Sequence, residues 1–228
     1  MELPKRPRTV QTPRVAVKAL TDGAIRDYAG SIRVPEIEMD SKASIRAAML
    51  ARRDALATDR RIEMSLAMAD AAEAMAFDPG TVIAGYLPIR SEPDLRPLLA
   101  RFRERGARLC LPVVLDRQTI VFREFVREAD LVGTGFGTSG PGPVAEVLDP
   151  DIVMMPLSAF DAAGNRLGYG AGHYDRAIAQ LRARELSPVL AGTAFSLQET
   201  DHLPAEAHDV PLSMILTELG LRSFPQSL

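Results

Sequence analysis

The fold is best predicted from one stretch, Asp151-Ile152-Val153-Met154-Met155-Pro156, which leads through a turn into Asn165-Arg166-Leu167-Gly168-Tyr169-Gly170-Ala171-Gly172-His173-Tyr174-Asp175-Arg176. The first segment is a short apolar run that ends at a proline, a pattern typical of a buried strand. The second segment passes through alternating glycines and enters a helical pattern that reaches Glu185. A strand, a glycine-rich loop and a helix in this order indicate a parallel sheet covered by helices.

The same alternation of strands and helices extends along the rest of the chain. Ser41 has the character of an N-cap, and Ile45 and Met49 then recur at helical spacing in a first helix. Further helices are predicted over residues 59–75, 94–105 and 173–185, and strands over 81–87, 108–114, 119–127, 151–156, 189–195 and 214–218. The predicted fold class is α/β, a mainly parallel sheet with helices on both faces. In such sheets, ligands collect at the carboxyl ends of the strands.

Composition narrows the functional classes. The 228 residues carry a formal net charge of −3, which argues against a general nucleic-acid surface, because such a surface needs clustered cations. No apolar run approaches the roughly 20 residues that cross a bilayer, and the first forty residues lack the apolar segment of a secretory signal. We therefore expect no nucleic-acid and no membrane partner. Cys110 is the only cysteine, which favours a reducing, cytoplasmic compartment, and its apolar neighbours predict a buried strand residue.

Residues 1–40 differ in character from the rest of the chain. Cations dominate between Met1 and Lys18, and prolines interrupt any helix there. The segment fits a flexible or loosely docked basic arm, a leader similar to a transit peptide, or extra residues upstream of the true translation start. We favour the arm. Residues 41–228 are predicted to form a single α/β catalytic domain, as a monomer or weak dimer.

Several patterns that could mark a cofactor site lack the necessary context. Gly135-Phe136-Gly137-Thr138-Ser139-Gly140 has the letters of a dinucleotide fingerprint, but the prolines that follow leave no helix N-terminus to receive a pyrophosphate. We interpret this stretch as a loop. No P-loop motif occurs in the sequence, and His173, His202 and His208 lack zinc-binding spacing.

The glycine-rich segment has the features of a phosphate site. Gly168, Gly170 and Gly172 let backbone N–H groups approach an anion, and the helix that follows adds its positive N-terminal end. Arg166 supplies a forked cation suited to phosphate oxygens. Asp175 can face the same anion only across a cation, for which Mg²⁺ is the usual bridge. The alternative is an ordinary glycine-rich turn in which Arg166 and Asp175 pair with each other.

Two further groups of charges could complete such a site. Lys42 and Arg46 lie four residues apart on one face of the first helix, and Arg53 extends that face. Taken alone, this pattern favours a solvated basic face. The segment Leu203–Val210 places acidic residues, among them Asp209, before the last predicted strand, and a solvated loop is again the simplest interpretation.

Together these residues resemble the 5-formyltetrahydrofolate cyclo-ligases, also called methenyltetrahydrofolate synthetases. The resemblance runs from about Ser41 to Glu218 and rests on an ordered set of motifs. They are Lys42-x-x-x-Arg46, Gly85-Tyr86-Leu87-Pro88 with Glu92 and Asp94, Leu111-Pro112, Pro156 through Asp175, Ala194-Phe195 with Gln198, Leu203-Pro204, His208-Asp209 and Thr217-Glu218. The most specific string is Arg166-Leu167-Gly168-x-Gly170-x-Gly172-x-Tyr174-Asp175. The resemblance implies an α/β fold of the kind found in sugar-phosphate isomerases and CoA transferases.

The resemblance also implies a reaction and residue roles. ATP and 5-formyltetrahydrofolate would give ADP, phosphate and 5,10-methenyltetrahydrofolate, with Mg²⁺ as cofactor. The implied ATP-binding residues, of which the first three would also be catalytic, are Lys42, Arg46, Arg166, Leu167, Gly168, Tyr169, Gly170, Ala171, Gly172, His173 and Tyr174. Leu87, Glu92 and Tyr174 would bind the folate, with or without a polyglutamate tail, and Asp175 and Asp209 would hold Mg²⁺.

Two positions depart from the family pattern. His173 stands where an aromatic residue is usual, and Ala171 stands in place of a glycine or lysine, so the role of His173 is open. Two other functions also stay open at this point. One is an ATP-independent isomerase or acyl transferase of the same fold, and the other is a non-catalytic folate or nucleotide sensor.

Overall fold

The computed structural model describes residues 41–126, 131–135, 138–206 and 209–225. The predicted N-terminal extension, residues 1–40, lies outside the described residues. The same holds for Phe136 and Gly137 of the dinucleotide-like stretch and for His208.

Four α-helices occur in the described ranges: α1 (Lys42–Asp54), α2 (Thr58–Ala71), α3 (Arg96–Glu104) and α4 (His173–Ala183). Ser41 caps α1 as predicted, because its hydroxyl oxygen accepts a hydrogen bond from the Ser44 backbone N–H at 3.1 Å. The Ser44 hydroxyl oxygen accepts one in return from the Ser41 backbone N–H at 3.2 Å. This reciprocal capping box satisfies backbone donors that a helix start otherwise leaves unpaired.

The strands of the described chain are short. They are β1 (Val82–Ala84), β2 (Arg108–Val114), β3 (Ile120–Glu124), β4 (Leu131–Gly135), β5 (Thr138–Pro141), β6 (Ile152–Pro156), β7 (Ala159–Asp161), β8 (Arg166–Leu167), β9 (Val189–Thr193), β10 (Glu199–Thr200), β11 (Met214–Thr217) and β12 (Gly220–Ser223). Seven of them form the main sheet, in the order β12-β11-β9-β6-β1-β2-β3. The five central strands run parallel, and β3 and β12 pair antiparallel at the two edges.

Helices cover both faces of the main sheet, as predicted. On one face, α2 and α3 pack against the side chains of alternate strand residues, such as Ile83 of β1. On the other face, α4 packs against the intervening residues, such as Val82 and Ala84. The apolar strands therefore bury both faces, which is the pattern of a parallel sheet inside an α/β fold. No helix in the ranges given above combines the length and apolar character needed to span a membrane.

The predicted burial of Cys110 is confirmed, since it is a fully buried residue of β2. Met64, Met68 and Met75 also lie in the core. Burial and the nearby charge of Asp151 raise the pKa of the Cys110 thiol, which makes it a poor nucleophile.

Other predictions need correction. The stretch from Gly135 to Gly140 is predicted to be a loop, but Gly135 is the last residue of β4 and residues 138–140 lie in β5, which pairs antiparallel with β4. The prediction that no helix follows this stretch is confirmed. Met214–Glu218 is not the last strand, since β12 follows it. The small sheet β10-β7-β8 was also missed, because strands of two or three residues carry no readable periodicity.

Candidate active site

Two strand exits meet at one edge of the main sheet. β1 and β6 are parallel neighbours, with Ala84 opposite Val153, so their carboxyl ends lie side by side. The segment with Leu87 and Glu92 follows β1, and the glycine-rich segment follows β6 by way of β7 and β8. The predicted site residues are therefore delivered to the edge where parallel sheets bind ligands.

Asp161 fixes the turn that leads into β8. Its Oδ1 accepts hydrogen bonds from the backbone N–H groups of Ala163 at 3.0 Å and Asn165 at 2.9 Å. Its Oδ2 accepts one from the Asn165 side-chain amide at 2.9 Å and one from the Leu203 backbone N–H at 3.0 Å. The buried carboxylate thus holds the chain immediately before Arg166 and links it to the segment that contains Asp209.

The segment Gly168–Gly172, called the glycine loop below, has a backbone that requires glycine at two positions. Gly170 and Gly172 have φ angles of +95° and +65°, which side chains rarely adopt, and Gly172 is the N-cap of α4. The loop is braced by Arg176, whose Nη2 donates to the carbonyl oxygen of Ala171 at 2.7 Å. Arg176 Nε also donates to the Gln118 carbonyl oxygen at 2.8 Å, so the turn between β2 and β3 holds the loop.

The residues at the two ends of the glycine loop are placed differently. Leu167 is buried and packs against Ile45 and Met49 of α1, so its side chain supports the loop from below. Ala171 is exposed at the loop tip. His173 is the first residue of α4.

The basic face of α1 points at the glycine loop. Arg46 Nε donates to the Gly168 carbonyl oxygen at 2.8 Å, and the Arg46 guanidinium carbon lies 3.6 Å from the place a Cβ would take on Gly170. Arg53, two turns further along, is fully buried. The interpretation of this face as merely solvated is therefore wrong, because helical spacing shows which residues share a face but not what that face meets.

Arg166 and Asp175 form an ion pair within the segment. Arg166 Nη2 donates to Asp175 Oδ1 at 2.5 Å, and the two side chains are 8% and 27% exposed. Arg166 Nε is buried and has no hydrogen-bond partner among the residues the structure describes. A buried cationic donor of this kind is costly unless an acceptor meets it, so it suits a bound anion.

Lys42 lies in a second cluster of charges. Its Nζ contacts Asp209 Oδ2 at 2.6 Å and Glu206 Oε1 at 2.9 Å. Burial opposes the charge of Lys42, but the hydrogen bonds to both carboxylates outweigh it and raise the pKa of Lys42. Lys42 therefore stays protonated at neutral pH. The two carboxylates predicted to hold Mg²⁺, Asp175 and Asp209, lie in separate ion pairs, each with a predicted phosphate cation.

Glu92 lies in a buried, polar environment that the sequence did not indicate. Its Oε2 accepts a hydrogen bond from the Ile89 backbone N–H at 2.8 Å. Burial raises the pKa of the Glu92 carboxyl, against the opposing effects of the Tyr169 hydroxyl, the Ile89 amide and the Arg53 charge. A carboxylate that is only 6% exposed is well suited to a specific hydrogen bond with a ligand.

The other predicted folate contacts divide between the two faces of the sheet. Tyr174 packs against the cluster on the α4 side, and burial followed by the charge of Glu92 raises its pKa. Glu92 therefore lies near enough to Tyr174 to act on it electrostatically. Leu87 is partly buried and packs against the cluster on the α2 and α3 side instead.

Comparison with known proteins decides which family these residues belong to. A family model described as the 5-formyltetrahydrofolate cyclo-ligase family matches residues 38–218. The chain belongs to this family. Membership makes it an enzyme, a carbon–nitrogen ligase of folate one-carbon metabolism, and not an isomerase or acyl transferase of the same fold.

Individual relatives agree with the family match. The 5-formyltetrahydrofolate cyclo-ligase of Mycolicibacterium smegmatis is 34% identical over 146 residues, which are 60% of this chain and 74% of that protein. The enzyme of the same name from Escherichia coli is 31% identical over 175 residues, which are 73% of this chain and 94% of that protein. The NMR structure of Aquifex aeolicus 5,10-methenyltetrahydrofolate synthetase superimposes with a TM-score of 0.66 at 28% identity, over 82% of this chain and 95% of that one.

The charged residues of this candidate site fit Mg²⁺ that arrives with phosphates. Within the described ranges, no group of three or more His, Cys, Asp and Glu side chains could hold a metal by itself. Mg²⁺ is commonly held by one or two carboxylates, with the other positions taken by water and substrate phosphates. Asp175 and Asp209 supply such carboxylates, and the buried Arg166 Nε supplies a donor for a phosphate oxygen.

Sequence reasoning missed the contact between Arg53 and Tyr169. Arg53 Nη1 donates to the Tyr169 hydroxyl oxygen at 2.7 Å, and the guanidinium carbon lies 5.7 Å from the centre of the Tyr169 ring. The signal available in the sequence was weak. It consisted of a third cation on the basic face of α1 and one large side chain between two glycines.

Proposed function

We propose that this cyclo-ligase closes the ring of 5-formyltetrahydrofolate at the expense of ATP, with Mg²⁺ as cofactor, and releases ADP, phosphate and 5,10-methenyltetrahydrofolate. The observation that carries the proposal is the convergence of α1 on the glycine loop. Arg46 contacts the loop directly, Arg166 stands at its entrance, and Glu92 and Tyr174 lie beside it. In this proposal a site for a polyanion adjoins the buried carboxylate of Glu92, as two dissimilar substrates require.

Lys42, Arg46 and Arg166 act on the phosphates of ATP in this proposal. Phosphoryl transfer needs positioning and neutralisation of charge on the transferring group, and fixed cations supply both. The backbone N–H groups of the glycine loop and the N-terminal end of α4 add donors around the same oxygens. Tyr169 and Ala171 lie within the glycine loop and Leu167 and His173 flank it, and in this proposal all four bind the nucleotide as part of this segment.

Asp175 and Asp209 are the proposed ligands of Mg²⁺. Bound there, the ion would neutralise phosphate oxygens and orient the terminal phosphate. Each carboxylate is already paired with a cation that we assign to phosphate binding, at 2.5 Å for Arg166 and 2.6 Å for Lys42. A magnesium ion that arrives bound to ATP brings the negative charge of the phosphates with it.

The folate pocket solves the second part of the chemistry. The N5-formyl group is an amide, and its oxygen is a poor leaving group. We propose that this oxygen attacks the terminal phosphorus, which breaks the bond to ADP and gives an imidate phosphate. N10 then attacks the activated carbon, loses its proton, and expels phosphate as the ring closes. Glu92 and Tyr174 orient the pterin during both steps, and Leu87 contributes apolar surface.

No protein nucleophile is needed in this sequence of steps. That agrees with the single cysteine, Cys110, whose thiol is buried and has a raised pKa. A lone buried thiol also suits a reducing compartment, so we place the reaction in the cytoplasm. The state as a monomer or weak dimer stays a prediction.

One assay tests the proposed function. The full-length protein is incubated with 5-formyltetrahydrofolate, ATP and Mg²⁺, and the methenyl product is followed by its absorbance, with each component omitted in turn. We expect product only in the complete mixture. Product without ATP would refute the nucleotide requirement. Binding of both ligands without product would instead favour the non-catalytic sensor.

A further inference from the structure

Arg53 is a buried cation whose purpose the proposed function leaves unexplained. It lies in the last turn of α1 and is fully buried. An arginine stays protonated under all ordinary conditions, so its burial is costly unless other groups compensate its charge. An apolar side chain of similar volume would pack α1 at least as favourably. The guanidinium must therefore be accounted for by what it contacts.

Each nitrogen of Arg53 that makes a hydrogen bond contacts a different part of the site. Nε donates to the Ser91 hydroxyl oxygen at 2.9 Å, and that hydroxyl in turn donates to Asp54. Nη1 donates to the Tyr169 hydroxyl oxygen in the glycine loop at 2.7 Å. Nη2 is buried without a hydrogen-bond partner in the described part of the chain. Arg53 thus joins the segment after β1 to the glycine loop.

Glu92 is the carboxylate that this arrangement serves. It follows Ser91 directly, and the charge of Arg53 favours its ionised form against the effect of burial. The charged and titratable groups that face Glu92 are Arg53 from α1, Tyr169 from the glycine loop, Tyr86 from the segment after β1 and Tyr174 from α4. Arg53 is the cation in that set, and its charge adds to the Tyr169 and Ile89 hydrogen bonds that favour the ionised form of Glu92.

α1 therefore contacts two successive residues of the glycine loop. Arg46 holds the backbone of Gly168, and Arg53 holds the side chain of Tyr169. Displacement of Tyr169 would change both the loop that we assign to ATP and the surroundings of Glu92, which we assign to the folate. The two substrate sites share this one contact.

We propose that Arg53 is a positioning residue. Through Tyr169 it positions the glycine loop, which we assign to ATP, and through Ser91 it positions Glu92, which we assign to the folate. The inference rests on the proposed function for the identity of the two ligands. It assigns Arg53 no contact with either ligand. Its consequence is that one substitution, remote from both reacting centres, weakens binding of both substrates.

The test uses Arg53→Met, which keeps the volume and removes the charge, Arg53→Lys, which keeps the charge, and Tyr169→Phe, which removes the hydroxyl. Binding of ATP with Mg²⁺ and of 5-formyltetrahydrofolate is measured by calorimetry, alongside steady-state KM and kcat. The matched control is Arg101→Met, an arginine on α3 that is 43% exposed and pairs with Asp70. The melting curve of each variant shows what fraction of it is folded under the assay conditions.

Arg53→Met is expected to weaken the binding of both ligands by roughly 10-fold or more, which is the loss typical of one charge-assisted hydrogen bond. Adding Tyr169→Phe should cost little more, because the two residues act as one unit. Arg53→Lys should recover folate binding better than ATP binding, since it restores the charge near Glu92 but not the fork. If Arg53→Met does not fold, Tyr169→Phe alone should still weaken the binding of ATP severalfold.

The inference is overturned if folded Arg53→Met binds both ligands within about twofold of wild type, or if the losses of the two single variants add fully. Failure of the proposed function gives a different result. Wild-type protein would then form no methenyl product, while the binding comparison among the variants would still decide the role of Arg53.

Discussion

Gly170→Ala separates the role of the glycine loop in binding from its role in backbone geometry. Gly170 has a φ of +95°, so an added side chain is strained and should cost about 1–2 kcal/mol of stability. For a chain of this size, that corresponds to a fall in melting temperature of about 2–8 °C. The new methyl would lie 3.6 Å from the guanidinium of Arg46, an ordinary contact that leaves Arg46 in place. It would, however, cover the backbone that we assign to the phosphates.

The functional effect can be given a magnitude. A hydrogen bond to a charged group contributes about 1.5–3 kcal/mol, and 1.4 kcal/mol corresponds to a factor of ten. Loss of one backbone donor to a phosphate oxygen should therefore raise the KM for ATP by roughly 10-fold or more. The KM for 5-formyltetrahydrofolate should change little. Initial rates of methenyl formation, with one substrate varied at a time, measure both constants.

Gly80→Ala is the matched control. Gly80 has a φ of +88°, close to that of Gly170, and nothing lies within 4 Å of the place its Cβ would take. It precedes β1, in a turn that contributes no predicted site residue. The control should lose similar stability while both KM values stay at the wild-type level. Equal KM values for ATP in the two variants would refute the assignment of Gly170 to the nucleotide site.

Three further predictions concern single side chains. Arg166→Ala should raise the KM for ATP by roughly 10- to 150-fold and the KM for folate by much less. The control Arg184→Ala breaks an exposed ion pair with Asp149 and should change neither constant. A larger effect on the KM for folate than on the KM for ATP would exclude Arg166 from the phosphate site. Asp175→Asn should lower turnover by roughly 100-fold and raise the Mg²⁺ concentration needed for half-maximal rate, and full activity would exclude Asp175 as a metal ligand. The pKa of Glu92 is raised from its ordinary value of 4.5, so the folded state binds the proton more tightly and ionisation of Glu92 lowers stability as pH rises above about 4.5. Glu92→Gln removes this dependence of stability on pH, so the melting temperature of the variant should rise relative to that of wild type between pH 4 and pH 7. A difference in melting temperature that does not depend on pH would contradict the assigned burial.

Local pattern predicted the parts of the fold that depend on local sequence. The strand over residues 108–114 and the capped start of α1 at Ser41 agree with the structure, because apolar runs and caps act over a few neighbouring residues. The strand predicted over residues 81–87 is shorter than expected, since it pairs only from Val82 to Ala84. The site could be outlined for the same reason, because the glycine loop and the start of α4 are contiguous in the chain.

Long-range pairing could not be predicted from the same patterns. Lys42 and Asp209 are 167 residues apart, and nothing local to either indicates the other. Charge on a helix face reads as solvated unless its partner is known, which is why Arg53 was misjudged. Its true environment depends on Ser91 and Tyr169, two residues from separate strand exits that only the completed sheet brings together.

The position of Cys110 gives the protein a built-in reporter of its own opening. This sole thiol is fully buried on β2, between Ala84 of β1 and Glu124 of β3. A thiol reagent can reach it only when the core layer between the sheet and α4 opens, so the rate of labelling measures how often that layer is exposed. No second thiol contributes background, and no tag is needed. A ligand that binds the folded state should slow the labelling in proportion to its saturation, which gives affinities even for variants that no longer turn over.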